Sequence, residues 1–303
     1  MGPTAAGKTD LALELANEFP VEIVSVDSAM IYRGLDIGTG KPSSEVLARV
    51  PHHLVDIRDP SERYSAGQFV RDARQLIDAI RSRSKIPLFV GGTMLYFKAL
   101  TQGIADLPEA DQAVRARLNE RAQNLGWNAL HAELAVVDPA AAKKILPNDA
   151  QRIQRALEVF MLTGRPLSDL HADGVRQTPT EDFISLIWSP IDRAALYERI
   201  AARFSSMMDR GFLDEVRRLF DRKDLSPDLP ALRSVGYRQL RDYFSEGCSL
   251  PEAVRRGIVA TRHLARRQMI WLRAGKGFEW FDSLELSEAR RIKSRIAEGL
   301  RAR

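Results

Sequence analysis

Gly2-Pro-Thr-Ala-Ala-Gly7-Lys8-Thr9 is followed at once by Asp10-Leu-Ala-Leu-Glu-Leu-Ala16. Its form is G-x-x-x-x-G-K-[ST], a phosphate-binding loop opening into a helix, here with Leu11, Leu13, Leu15 and Ala16 as the helix's first apolar residues. Gly2 and Gly7 permit a tight turn whose backbone N–H groups converge on phosphate oxygens; the helix dipole adds partial positive charge and Lys8 a full one. Thr9 is placed to offer its hydroxyl to Mg²⁺. The loop specifies a phosphate and an α/β core, not which phosphate. Such a loop is the turn between a strand and a helix, and only Met1 precedes Gly2. The chain is therefore expected to be incomplete upstream and, in its 303-residue form, poorly folded or inactive.

Outward from the loop, Val21 to Val26 and Ile86 to Val90 are short apolar runs ending in Asp27-Ser28 and Gly91-Gly92, and they read as buried parallel strands. Between them, Phe69, Ala73, Leu76, Ile77 and Ile80 recur at helical spacing over Ala66 to Ser82. Strands alternating with helices predict a parallel sheet of the P-loop NTPase type. After Ile104 the chain becomes rich in Ala, Glu and Arg. We expect an inserted all-helical subdomain over residues 105–147, with Val114, Leu118, Leu125, Leu130 and Leu134 inward, dividing a core of residues 1–104 and 148–303. A helix over Asn148 to Thr163 and a polar loop around His171 to Thr180 then lead to the apolar run Phe183 to Trp188, which returns the chain to the sheet; the remainder reads as mostly helical.

With 303 residues and 45% hydrophobic content the chain can bury a large core. The net charge of +5 permits an anionic partner without demanding one. A single cysteine, Cys248, excludes a disulfide framework or a cysteine-based zinc module and suits a reducing cytoplasm. No stretch approaches the roughly 18 apolar residues of a membrane span.

The loop alone suggests an ATP-dependent kinase or NTPase. Against the NTPase, the strand Ile86 to Val90 ends in Gly91-Gly92-Thr93, where a magnesium-holding aspartate is usual. The nearest strand-terminal acid is Asp27. Strand carboxyl ends are where ligands sit in such sheets, and a carboxylate there can accept a proton from a nucleophile; an isolated Asp would more often cap a turn. His52 and His53 lack a third ligand and read as structural, as do Trp188, Trp271 and Trp280.

Asp27 is one of several ordered blocks: the loop itself, Ser25-Val-Asp-Ser-Ala-Met-Ile-Tyr32, Leu35-Asp-Ile-Gly-Thr39, Pro51-His-His-Leu-Val-Asp-Ile57, Val90-Gly-Gly-Thr-Met-Leu-Tyr96, Asn148-Asp149, Arg155-Ala-Leu-Glu-Val159 and Ser234-Val-Gly-Tyr-Arg238. From Gly2 to about Trp280 the chain resembles the tRNA dimethylallyltransferases, also called tRNA isopentenyltransferases. The resemblance implies transfer of a dimethylallyl group from dimethylallyl diphosphate to the N6 amine of an adenosine in the tRNA anticodon stem-loop. Gly2, Pro3, Thr4, Ala5, Ala6, Gly7, Lys8 and Thr9 would then cradle the donor's diphosphate, with Mg²⁺ at Thr9. Asp27, Lys8 and Thr93 are the expected catalytic residues, Asp27 as the base. It further implies tRNA contacts at Asp27, Ser28, Ala29 and Met30, at Thr93 and Arg115, at Gln151, Arg152, Ile153, Gln154 and Arg155, and at Arg233, Ser234, Val235, Gly236, Tyr237 and Arg238. Taken alone, Thr93 reads as a helix cap, and Arg115 and Arg117 as solvated surface.

Ala231 to Lys276 carries ten Lys or Arg against three Asp or Glu. In a helix predicted over Glu252 to Arg273, Arg255, Arg262, Arg266 and Arg273 share one face, suited to phosphates, while Ile258, Ala265, Met269 and Leu272 form the packing side. A small-metabolite kinase and a non-catalytic RNA-binding protein are the rival readings. A monomer is expected, although nothing in the sequence derives it.

Overall fold

The computed structural model describes residues 1–174, 182–245 and 247–301. The chain divides into two compact units, Met1–Phe97 with Asp182–Arg303, and Lys98–Glu181.

In the first unit, helix α1 (Lys8–Glu18) leaves the phosphate loop, with Gly7 in the left-handed region at φ 82° as its N-cap. Strand β1 (Val21–Val26) follows, all six residues buried. Helix α2 (Ser44–Arg49) leads to the short strand β2 (His52–His53). Helix α3 (Ala66–Arg81) starts in a capping box of Ser65 and Gln68, and buries Phe69, Val70, Ala73, Ile77 and Ile80 as its period requires. Strand β3 (Ile86–Gly91) and helix α4 (Met94–Gln102) complete this stretch. The order is β2-β1-β3, wholly parallel, with Val21 opposite Ile86 and Val26 opposite Gly91. β3 departs from the expectation of a buried strand: Ile86 to Val90 are half-buried, because β3 is an edge of this sheet while β1 is central. A Cβ on Gly91 would sit 2.1 Å from the Val26 carbonyl oxygen, so only glycine fits where β3 closes on β1.

The second unit is all-helical: α5 (Gln112–Leu125), α6 (Trp127–Val137), α7 (Pro139–Ala142), α8 (Ala150–Thr163) and α9 (Leu167–Ala172). Its core joins Val114, Leu118, Leu130 and Leu134 to Ile153, Ala156 and Leu157 of α8. The unit therefore spans Lys98–Glu181, not the expected 105–147, because the apolar face of α8 completes this core instead of joining the sheet. Leu125 is 63% exposed, contrary to expectation, since α5 ends there against Gly126. Buried Asp138 caps α7 by accepting from Ala141 N–H at 2.9 Å and holds the start of α9 by accepting from Ser168 N–H at 2.9 Å. Of the expected polar loop, His171 and Ala172 end α9, and residues 175–180 lie outside the described ones.

The chain re-enters the first unit as β4 (Leu186–Ser189), then α10 (Arg193–Asp209), α11 (Phe212–Phe220), α12 (Tyr237–Ser245), α13 (Leu250–Ala274), β5 (Glu279–Asp282) and α14 (Leu286–Arg301). β4 occupies the end of the apolar run, but it pairs with β5 in a separate two-stranded parallel sheet and not with β1 to β3. Four polar-edged residues, Glu279-Trp-Phe-Asp282, carry too little period to announce β5; its strand forms because Phe281 packs with Leu11, Leu15, Trp188 and Ile292. Met1 lies beside β4, donating to the Leu186 carbonyl at 2.7 Å and accepting from Trp188 N–H at 2.8 Å. Among the described residues no helix is long and apolar enough to cross a membrane.

Candidate active site

The carboxyl ends of β1 and β3, the phosphate loop, α10 and α13 enclose a cavity of about 920 Å³ within the first unit. Thr4, Ala5, Gly7, Lys8 and Thr9 line one side of it. The loop turns at two left-handed residues, Ala5 (φ 62°) and Gly7 (φ 82°). A Cβ on Gly2 would meet the Trp188 carbonyl oxygen at 2.1 Å, so the first motif glycine serves close packing on β4. Arg199 braces the turn by donating Nε–H to the Ala5 carbonyl at 3.0 Å. Lys8 folds its ammonium back onto the Pro3 carbonyl at 2.6 Å.

Two cations meet here. Burial first, and then the Arg203 charge, lower the Lys8 ammonium to about 8 against the opposing influence of Asp27. The same burial lowers Arg203, against a raising influence of Asp27, while its guanidinium donates to the Thr39 carbonyl at 3.0 Å. Half-buried like charges are costly unless an anion offsets them, and their convergence makes this a candidate anion site. Arg203 was not legible as functional. It sits in an ordinary amphipathic helix, and a Cβ on Gly40 would lie 2.2 Å from its Nη2, so the space it uses is created by a distant glycine.

Facing the loop, Asp27 lies directly after β1. Its Oδ1 accepts from Ala29 N–H at 2.8 Å and Met30 N–H at 3.2 Å, which is the turn role an isolated Asp would have. The remaining oxygen Oδ2 makes no hydrogen bond among the described residues, and Asp27 lines the cavity. Thr93 stands just before α4, yet its hydroxyl accepts from Ser28 N–H at 3.0 Å, so it links β3 to the Asp27 turn. Ser28, Ala29 and Met30 line the same cavity, as do Arg233, Ser234, Val235 and Gly236. Tyr237 lines it too, but its ring is buried and its hydroxyl donates to Glu215 at 2.6 Å. Arg238 is exposed on α12.

Arg115 and Gln151 to Arg155 belong to the helical unit, described by itself. Burial would raise the Glu158 carboxyl, but hydrogen bonds from Arg115, Arg155 and the Asp111 N–H overcome it and lower it. The guanidiniums of Arg115 and Arg155 approach at 2.8 and 2.7 Å and neutralise this fully buried charge, so both have a structural task. Ile153 is completely buried in the unit's core and offers RNA no side chain, contrary to expectation. Gln151 and Arg152 are exposed, and Gln154 donates to Asn119 at 2.7 Å.

The arginine face of α13 is likewise uneven. Arg255 and Arg256 both pair with Glu252, and the Arg262 guanidinium lies 5.3 Å over the Tyr197 ring, while Arg266 and Arg273 are exposed. The opposite side packs as expected, with Ala265 and Leu272 buried. His53 bonds Glu22 at 2.7 Å, and Arg83 bonds the same carboxylate; His52 donates from Nδ1 to the Val50 carbonyl at 2.8 Å. Both histidines are structural.

Fold and cavity together define an α/β protein in which a loop of the G-x-x-x-x-G-K-T form and a strand-terminal carboxylate line one cavity. The chain belongs to the IPP transferase family, which matches it over residues 30–275. It is 53% identical over 300 residues to the tRNA dimethylallyltransferase of Bordetella petrii, covering 98% of this chain and 95% of that protein. Among solved structures it is similar to the full-length tRNA isopentenylpyrophosphate transferase of Bacillus halodurans, at 35% identity and a TM-score of 0.70 over 99% of this chain and 95% of that one. It is also similar to a eukaryotic dimethylallyltransferase acting on tRNA, at 26% identity and a TM-score of 0.79 over 98% of this chain and 76% of that one.

Proposed function

We propose that this enzyme transfers a dimethylallyl group from dimethylallyl diphosphate to the N6 amine of an adenosine beside the anticodon of tRNA, releasing pyrophosphate. The carrying observation is that the phosphate loop, Asp27 and Thr93 line one cavity, which supports a diphosphate site with a carboxylate beside it. The core around the loop is of the P-loop type. The loop's N–H groups, Lys8 and Arg203 receive the donor's diphosphate, Lys8 exchanging the Pro3 carbonyl for a phosphate oxygen.

As the allylic C–O bond breaks, negative charge grows on the departing pyrophosphate, where the preorganised donors stabilise it. The exocyclic amine is a weak nucleophile because its lone pair is delocalised into the ring. Asp27 accepts its proton through Oδ2, leaving Oδ1 to hold the turn. Reaching that amine requires the base to leave its stack, and the cavity that Arg233 and Ser234 help line receives it. Mg²⁺ is the implied cofactor. Thr9, which lines the cavity, carries a hard hydroxyl oxygen, and this ion typically takes few protein ligands together with substrate phosphates and waters, so the donor set fits. When bound it neutralises charge on the diphosphate.

The helical unit, through Gln151 and Arg152, and the exposed arginines of α13 supply RNA contacts, and the protein works as a cytoplasmic monomer. Incubation with labelled dimethylallyl diphosphate and an anticodon stem-loop tests the reading. Prenylated RNA is expected. Phosphorylation of a small metabolite from ATP would replace it with the kinase, and RNA binding without turnover would leave a binding protein.

A further inference from the structure

Gln268, on α13, is 7% exposed and uses both ends of its amide at the cavity wall. Its Oε1 accepts from Thr4 N–H at 2.9 Å, and its Nε2 donates to the Gly92 carbonyl at 2.8 Å. Thr4 belongs to the loop that receives the diphosphate. Gly92 directly precedes Thr93, whose hydroxyl holds Ser28 beside Asp27. One planar group of fixed length therefore ties the donor side of the cavity to the acceptor side.

Both partners of the amide are shaped for it. A Cβ on Gly92 would lie 2.4 Å from Gln268 Nε2, so the second glycine of Gly91-Gly92 leaves the space the amide occupies. Gln268 also fills the Thr4 N–H, which directs phosphate toward the later N–H groups of the loop. An amide is the side chain that can accept from an N–H at one end and donate to a carbonyl at the other; a carboxylate or an ammonium does only one.

We infer that Gln268 is a positioning residue for prenyl transfer, setting the distance between the diphosphate loop and the Asp27–Thr93 side. This rests on the proposed function. It acts through Thr4 and Gly92 and touches no reacting atom. Misplacement by about 1 Å can cost about 100-fold in rate when binding is otherwise intact. Loss of the tie consequently appears in kcat and not in affinity.

The test compares full-length wild type with Gln268→Met, which keeps side-chain volume and removes both hydrogen bonds. Wild type is assayed first, and absence of prenylated stem-loop at that stage removes the proposed function itself. Given wild-type transfer, kcat of Gln268→Met falls about 10- to 100-fold, while KM for dimethylallyl diphosphate and Kd for the stem-loop stay within about threefold. Retained kcat, or a raised KM at unchanged kcat, overturns the inference and leaves Gln268 as a packing residue. Should Gln268→Met fail to melt cooperatively, Gln268→Asn carries the same test: one methylene shorter, it can hold Thr4 or Gly92 but not both. Its kcat falls with KM unchanged if the tie matters, and a wild-type kcat overturns it.

Discussion

Replacing Glu215 by glutamine tests how the Leu35 to Thr39 segment is held. The Glu215 carboxylate is 1% exposed and accepts four hydrogen bonds. Oε2 takes Asp36 N–H at 3.0 Å and Ile37 N–H at 2.8 Å; Oε1 takes Gly38 N–H at 3.1 Å and the Tyr237 hydroxyl at 2.6 Å. The residue thus binds a loop that lines the cavity to the buried base of α12. Gln has the same shape, but one of its two oxygens becomes an NH₂ group; placed at the Oε1 position it donates to the Tyr237 hydroxyl, which rotates to accept, and leaves the Gly38 N–H facing another donor. A buried donor left unsatisfied costs about 1 to 3 kcal/mol, the figure expected for Glu215→Gln. Against a typical total of about 5 to 15 kcal/mol, that is a large share. Urea unfolding followed by circular dichroism should show a lower midpoint with an unchanged slope. Tyr237→Phe removes one partner only, and its cost should shrink in the Glu215→Gln background because the two side chains are coupled. A destabilisation below about 0.5 kcal/mol, within the range of ordinary surface substitutions, would refute the assignment of Glu215 as the anchor.

Asp27→Asn keeps an oxygen for the Ala29 and Met30 N–H groups, so the melt and stem-loop affinity should hold while turnover falls about 100-fold or more; near-normal turnover would remove Asp27 as the base. Lys8 is lowered to about 8, and only its protonated form attracts a diphosphate, so affinity for dimethylallyl diphosphate should be full below that value and decline as pH rises through it. Lys8→Ala should bind weakly at every pH, and calorimetric titration across the neutral to alkaline range that found a flat wild-type profile would contradict the site. Replacing Arg255, Arg262 and Arg266 together should reduce the salt dependence of stem-loop binding by about 0.7 to 0.9 in log–log slope for each phosphate no longer neutralised. An unaltered slope would mean that the pairing of Arg255 with Glu252 and the stacking of Arg262 on Tyr197 already account for these side chains.

The segments that line the cavity were legible where they depend on local backbone chemistry. A loop of the form G-x-x-x-x-G-K-T, a strand ending in Asp27, and a double glycine before Thr93 each announce themselves within a few residues. The amphipathic periods of α3 and α13 located their buried faces for the same reason: a helix repeats every 3.6 residues whatever it packs against. Charged groups were read less well. Arg115 taken alone reads as solvated surface, yet it and Arg155 bond buried Glu158, and Tyr237 gives no sign in sequence of the Glu215 carboxylate at its hydroxyl.

By itself the sequence determined the phosphate loop, the parallel α/β alternation around it, the helical insertion and the family, because these rest on spacing and order along the chain. The tertiary structure alone decided that α8 belongs to the helical unit, that β4 and β5 form their own sheet, and that Arg203 and Gln268 reach the cavity. Gln268 meets Thr4 across 264 positions of sequence and Gly92 across 176. A single hydrogen-bonding amide has no period and no local signature; its partners exist only once packing has brought three distant segments within 3 Å of one another.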